Sequence, residues 1–126
     1  MKKKLLVSAL STALLLPTAA GAAYKSYVGY ALPPLYGNNY TSYHTKETND
    51  DYIVNIVENL EGTSTATFWA EDHNGSISSK YNQKVGNTTR INFNTNKSAG
   101  NQIRMAMENA EFSISNAFVA GRVDFR

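Results

Sequence analysis

The chain has 126 residues, 12 Lys plus Arg against 10 Asp plus Glu, and no cysteine. The missing cysteines exclude a disulfide framework, a thiolate nucleophile and a Cys-based metal site. Three of the lysines (Lys2, Lys3, Lys4) stand at the very start, so the remainder is close to neutral and carries no basic cluster, which argues against nucleic acid as a partner.

Those lysines are followed by an apolar run from Leu5 to Leu16, by Pro17, and by the small residues Ala20-Gly21-Ala22. Charge, apolar core and small residues in that order predict a cleavable secretory signal over residues 1–23, cut after Ala22 or Ala23. The apolar run is shorter than the roughly 20 residues that cross a bilayer, so no transmembrane anchor is expected in the mature form. The mature protein is expected to be a secreted, extracellular domain of about 103 residues, long enough for one core and not for two. Secretion without cysteine fits a Gram-positive bacterium best.

Residues 24–50 read as an N-terminal arm, with Tyr24, Tyr27, Tyr30, Tyr36, Tyr40 and Tyr43 interrupted by Pro33-Pro34 and Gly37-Asn38-Asn39. Proline removes backbone donors and Gly-Asn supplies a turn, so continuous sheet is not expected here. The rings either line an exposed ligand platform or, more commonly for such residues, cover the open side of a small sheet with the phenolic oxygens in water. Tyr27, Tyr30, Tyr36, Tyr40 and Tyr43, together with Trp69, are the candidate binding residues.

Residues 51–126 read as an antiparallel β domain. Tyr52 to Glu58 alternates, with Ile53, Asn55 and Val57 on one face, and Thr63 to Ala70 alternates next, so a hairpin through Leu60-Glu61-Gly62 is predicted. Asp72-His73-Asn74-Gly75 is a turn, with Asn74-Gly75 suited to the positive φ values of a type I′ turn. Strand-like text resumes over Ser76 to Val85 and Thr88 to Asn94, separated by Gly86-Asn87. Gln102 to Phe112 fits both periods: Ile103, Met105 and Met107 alternate, while Arg104 and Glu108 stand at i,i+4 as on a helix. The surrounding rhythm selects strand. Phe112 and Ile114, then Phe118, Val119, Val123 and Phe125, predict one or two closing strands, with Gly121 as a bulge or point of close approach. The fold class expected is all-β, a small antiparallel β-sandwich or barrel-like domain.

The stretches Tyr36-Gly37-Asn38-Asn39-Tyr40, Asp51-Tyr52-Ile53-Val54-Asn55, Glu61-Gly62, Thr67-Phe68-Trp69-Ala70 and Met105-Ala106-Met107-Glu108-Asn109 resemble the DUF2712-like family of small secreted bacterial proteins. The resemblance implies a secreted β-rich domain and transfers no catalytic or binding residue. A fainter likeness, in layout alone, links the chain to lactococcin-972-type bacteriocins.

No catalytic apparatus is legible. His44 has no partner at a motif spacing and reads as a surface residue, and His73 beside Asp72 reads as part of a solvated turn. Neither Gly62-Thr63-Ser64 nor Gly75-Ser76-Ile77 completes a nucleophile elbow. The Asn-x-Ser/Thr triplets at Asn39, Asn74, Asn87 and Asn96 follow from composition. The expected protein is therefore not an enzyme and needs no metal or cofactor. It binds a cell-wall polymer, an envelope protein or another extracellular partner, or acts as a bacteriocin-like toxin on related bacteria.

Overall fold

The computed structural model describes residues 23–126, and the expected signal segment lies outside them. Ten strands form two antiparallel sheets: β1 (Tyr24–Leu32), β2 (Asn38–Tyr40), β3 (His44–Thr45), β4 (Tyr52–Glu61), β5 (Ala66–Asp72), β6 (Gly75–Ser76), β7 (Tyr81–Gln83), β8 (Thr88–Asn92), β9 (Gln102–Asn109) and β10 (Ala117–Asp124). The first sheet runs β1-β10-β4-β8. The second runs β2-β9-β5-β6, with β3 also on β9 and β7 also on β5. The domain is all-β and antiparallel, as expected, and Gln102–Asn109 is a strand. Met105 and Met107 lie wholly buried on its inner side. The sheets do not close into a barrel.

One apolar core lies between the sheets. Leu32, Ile53, Val57, Val119 and Val123 enter it from the first sheet, and Phe68, Ile103, Met105 and Met107 from the second. The alternation of β4 is decided by this core: Ile53, Asn55 and Val57 are fully buried while Tyr52, Val54 and Ile56 are partly exposed. Asn55 is tolerated there because both polar atoms of its amide are hydrogen-bonded. Tyr27 Oη donates to its Oδ1 at 2.7 Å, and its Nδ2 donates to Gln83 Oε1 at 2.8 Å, which ties β1 and β4 to β7 across the core. Each orphaned member of such a chain would cost about 1–3 kcal/mol. Burial pushes the Tyr27 phenol far above its ordinary value, so it remains a neutral donor.

Gly121 is the close-approach point that the sequence suggests. The β10–β4 register shifts between Ala120 and Gly121. A Cβ at Gly121 would lie 2.7 Å from Tyr27 Oη and far inside contact distance of the Ile56 carbonyl.

Four sequence expectations are corrected. The tyrosine-rich stretch is part of the sheets: β1 pairs with β10, and β2 and β3 pair with β9, so Pro33-Pro34 merely separates two strands. The β4–β5 hairpin does not form, because both edges of β4 are occupied by β10 and β8 while β5 pairs with β9, β6 and β7. The chain instead crosses from one sheet to the other through residues 62–65. At the following turn Asp72 pairs with Gly75, so His73 and Asn74 form the tip, and only Gly75 has positive φ (126°), which excludes type I′. Phe112 and Ile114 belong to an exposed loop, and β10 is the single closing strand.

Candidate functional site

The six sequence-predicted binding residues part into three groups. Tyr27 is buried and Tyr30 packs against the core, their rings in edge contact with centroids 5.7 Å apart. Both are structural. Tyr36 sits on the loop between β1 and β2, in edge contact with Phe112 at 6.1 Å. Tyr40, Tyr43 and Trp69 come together on the outer face of the second sheet.

That convergence follows from register. Tyr40 on β2 and Trp69 on β5 both pair with Ala106 of β9, so they flank one small residue on the outward side. One step along in one direction Glu71 pairs with Arg104, and in the other Thr67 pairs with Glu108. Side chains two apart on β9 share this face, which gives Arg104, Ala106 and Glu108 in a row with aromatic rings on both sides.

Arg104 is the hub. Its guanidinium lies 3.9 Å from the Tyr40 ring centroid and 5.0 Å from that of Tyr43. It donates to Glu71 Oε1 through Nε at 3.0 Å and Nη2 at 2.8 Å. The other carboxylate oxygen of Glu71 accepts from Trp69 Nε1 at 2.9 Å. Lys80 lies over the Trp69 ring at 4.4 Å and pairs with Glu108 at 3.2 Å. At the edge of the cluster the Tyr43 ring stacks on His73, centroids 3.9 Å apart, and His73 Nε2 is hydrogen-bonded to Gln102 Oε1 at 2.8 Å. His73 thus belongs to an organised surface as well as to a turn. Stacks of cation on ring contribute about 0.5–1 kcal/mol each at exposed sites.

The groups gathered on this face are ones that act non-covalently: flat rings, and cations and carboxylates alternating at hydrogen-bond spacing. Trp69 is itself covered, at 4% exposure, with the Lys80 ammonium over its ring. Among the described residues no three His, Asp or Glu side chains converge as a metal centre would require.

Arg104, Lys80 and Glu71 were not singled out from sequence. The signal was present in the Arg104–Glu108 spacing, which reads as a helical pair but places the two on one face of a strand as well.

Two other regions carry polar or apolar features of note. A cavity of about 250 Å³ opens between β1, β3 and the chain after β10, lined by Lys25, His44, Glu47, Asp124, Phe125 and Arg126. His44 lies flat on Phe125 at 4.3 Å, so it is half-buried and not a free surface residue, and burial together with the Lys25 charge lowers its pKa. At the opposite end, Leu35, Tyr36, Phe112 and Ile114 are exposed on two adjoining loops, with Phe118 beside them at the start of β10.

No family model, curated protein or solved structure matches the chain, so the likeness to the DUF2712-like family rests on its short motifs alone.

Proposed function

We propose that the chain is a secreted, non-enzymatic two-layer β-sandwich that binds at the cell envelope, with the outer face of the second sheet as its contact surface. The ligand class that fits is a hydroxyl-rich cell-wall polymer. Sugar rings stack on Tyr40 and Tyr43 above the buried Trp69, while Arg104, Lys80, Glu71 and Glu108 exchange hydrogen bonds with hydroxyl groups. The observation that carries this reading is the meeting of Tyr40 and Tyr43 at Arg104 on one face, with Trp69 tied to the same cluster through Glu71.

Sedimentation of the protein with purified cell walls tests it. Tyr40→Ala and Tyr43→Ala are expected to weaken binding several-fold while leaving circular dichroism unchanged. Tyr27→Ala is expected to lose the fold instead. Undiminished wall binding by the Tyr40→Ala/Tyr43→Ala double variant would refute the assignment of this face.

A bacteriocin-like role against related bacteria is the second reading, favoured by the exposed apolar end of the domain. Growth and leakage of a panel of Gram-positive strains exposed to the protein decide it, and intact cells at micromolar concentration would remove it.

A further inference from the structure

From the apolar end of the domain we infer that the loops 33–37 and 110–116 form a lipid-contact tip, which enters the interfacial layer of a bilayer without relying on headgroup charge. This is separate from the wall-binding face, which lies on the outer side of the second sheet.

The first support is the backbone. Leu35 and Tyr36 both have left-handed conformations, with φ of 59° and 57°. Such a conformation is penalised for every residue with a Cβ and is natural for glycine. Yet both positions carry large side chains, exposed by 65% and 49%, that contribute little to the core. Strain kept in order to present apolar side chains to solvent points to a surface that uses them.

The second support is composition. Leu35, Tyr36, Phe112 and Ile114 stand together, held by the Leu35 N–H donating to the Ser113 carbonyl at 2.8 Å and by the Tyr36–Phe112 ring contact. Residues 33–37 and 110–116 contain one charged residue, Glu111, and its carboxylate is turned to Thr63 Oγ1 at 2.7 Å and Ser64 Oγ at 2.9 Å. Tyr and Phe are the residues that settle at a membrane interface.

The third support is that part of the loops' polar backbone is already bonded within the protein. Pro33 and Pro34 have no N–H to lose, Leu35 donates to Ser113, Gly37 donates to the Pro34 carbonyl at 3.1 Å, and Ser115 donates to Ser113 Oγ at 3.1 Å. Groups bonded internally do not have to be stripped of water when the loop leaves it.

Four side chains of this kind present on the order of 400–600 Å² in total, about the apolar part alone of the roughly 800 Å² per partner of a stable protein interface, and a protein partner would have to find its polar contacts in loops whose one charged residue is already bonded within the domain. A bilayer needs no complementary relief.

The chain from Ala23 onward, which contains both sheets and their whole shared core, is sedimented with sucrose-loaded vesicles of phosphatidylcholine and of phosphatidylcholine mixed with phosphatidylglycerol. The expected result is binding to both, no stronger on the anionic vesicles and unchanged by added salt. Phe112→Ser/Ile114→Ser should reduce partitioning by about tenfold or more with an unchanged melting temperature and undiminished binding to cell walls. Ile114→Trp, read by quenching with acyl-brominated phosphatidylcholine, keeps the test valid even if the double variant melts lower. Quenching beyond that of the buried Trp69 supports insertion. Failure of the parent protein to sediment at millimolar lipid would overturn the inference. So would binding retained by the serine variant, binding that requires anionic lipid and vanishes in salt, or an absence of quenching. Self-association in solution abolished by the serine variant would overturn it in favour of a second copy as occupant.

Discussion

At one end of the domain the chain is tied together by charge, and at the other it presents bare hydrocarbon. Lys46 is 1% exposed, and its Nζ donates to the Asp50 carbonyl at 2.6 Å near the face of Phe93. The Arg126 carbonyl accepts from the Thr48 N–H at 2.7 Å, the Glu47 N–H at 3.0 Å and Thr48 Oγ1 at 2.8 Å. The Arg126 side chain pairs with Asp50 and Asp124, and Lys97 pairs with Asp72 at 2.7 Å. At the Leu35–Ile114 end the one charged residue of the two loops, Glu111, is turned to Thr63 and Ser64, and large apolar side chains stand in water, two of them on left-handed backbone. The first arrangement satisfies groups that folding has removed from water, and so it serves stability. The second leaves apolar side chains in water as a patch of the size that, as the largest on a monomer, is often functional.

Four changes sharpen or break that contrast. The largest effect is expected at Lys46. Lys46→Ala removes a buried stem and orphans the carbonyls it serves, a loss of about 2–4 kcal/mol in chemical denaturation, whereas Lys46→Met keeps the volume and should lose less. Equal losses from the two variants would show that the ammonium, not the packing, holds this end.

Acid should act on the same end. Burial and the Lys25 charge lower the His44 pKa below 6.5, and hydrogen bonds from Arg126 and Lys97 hold Asp50 and Asp72 below 3.8. In each case the unfolded chain binds the proton first, so stability falls as pH falls. The first loss begins near pH 6.5, where unfolded His44 takes up a proton, and a second begins near pH 4 as the carboxylates follow. His44→Phe, which keeps a ring on Phe125, should abolish the first loss and leave the second. Melting curves between pH 3 and pH 8 check both.

At the apolar end Leu35→Gly should stabilise by up to about 1 kcal/mol. Relief of about 1–2 kcal/mol of left-handed strain exceeds the extra freedom glycine gives the unfolded chain. A loss of stability there would mean that Leu35 is a structural residue and would remove the strain argument for the tip. The smallest effect is expected from Phe112→Ser/Ile114→Ser, within about 0.5 kcal/mol of the parent, because both side chains are already in water.

The fold class was legible in the alternating text of β4 and β8, because period two survives in any strand with one dry and one wet face, while β9 was read as a strand only from its surroundings. Gly121 was legible for a different reason: a glycine inside an apolar alternation has few uses besides a bulge or a close approach. The candidate face was legible only in part. Tyr40, Tyr43 and Trp69 stood out by type, but so did Tyr27 and Tyr30, and nothing local tells a tyrosine that donates to a buried Asn55 from one that stacks on an arginine. Phe112 and Ile114 misled in the same manner, since their alternation is that of a strand and their loop position follows from β9 ending at Asn109.

By itself the sequence determined the properties set by near neighbours along the chain: the absence of disulfides, the strand periods, the glycine turns and the apolar count sufficient for one core. The tertiary structure alone decided which strands are neighbours, and therefore which side chains meet. The β4–β5 hairpin was the natural local reading, yet β4 lies between β10 and β8. Tyr40 and Trp69 share a site only because β9, far from both in sequence, runs between their strands. Pairing of distant strands is governed by the burial of both sheets at once, a sum over the whole core that no short window of sequence contains.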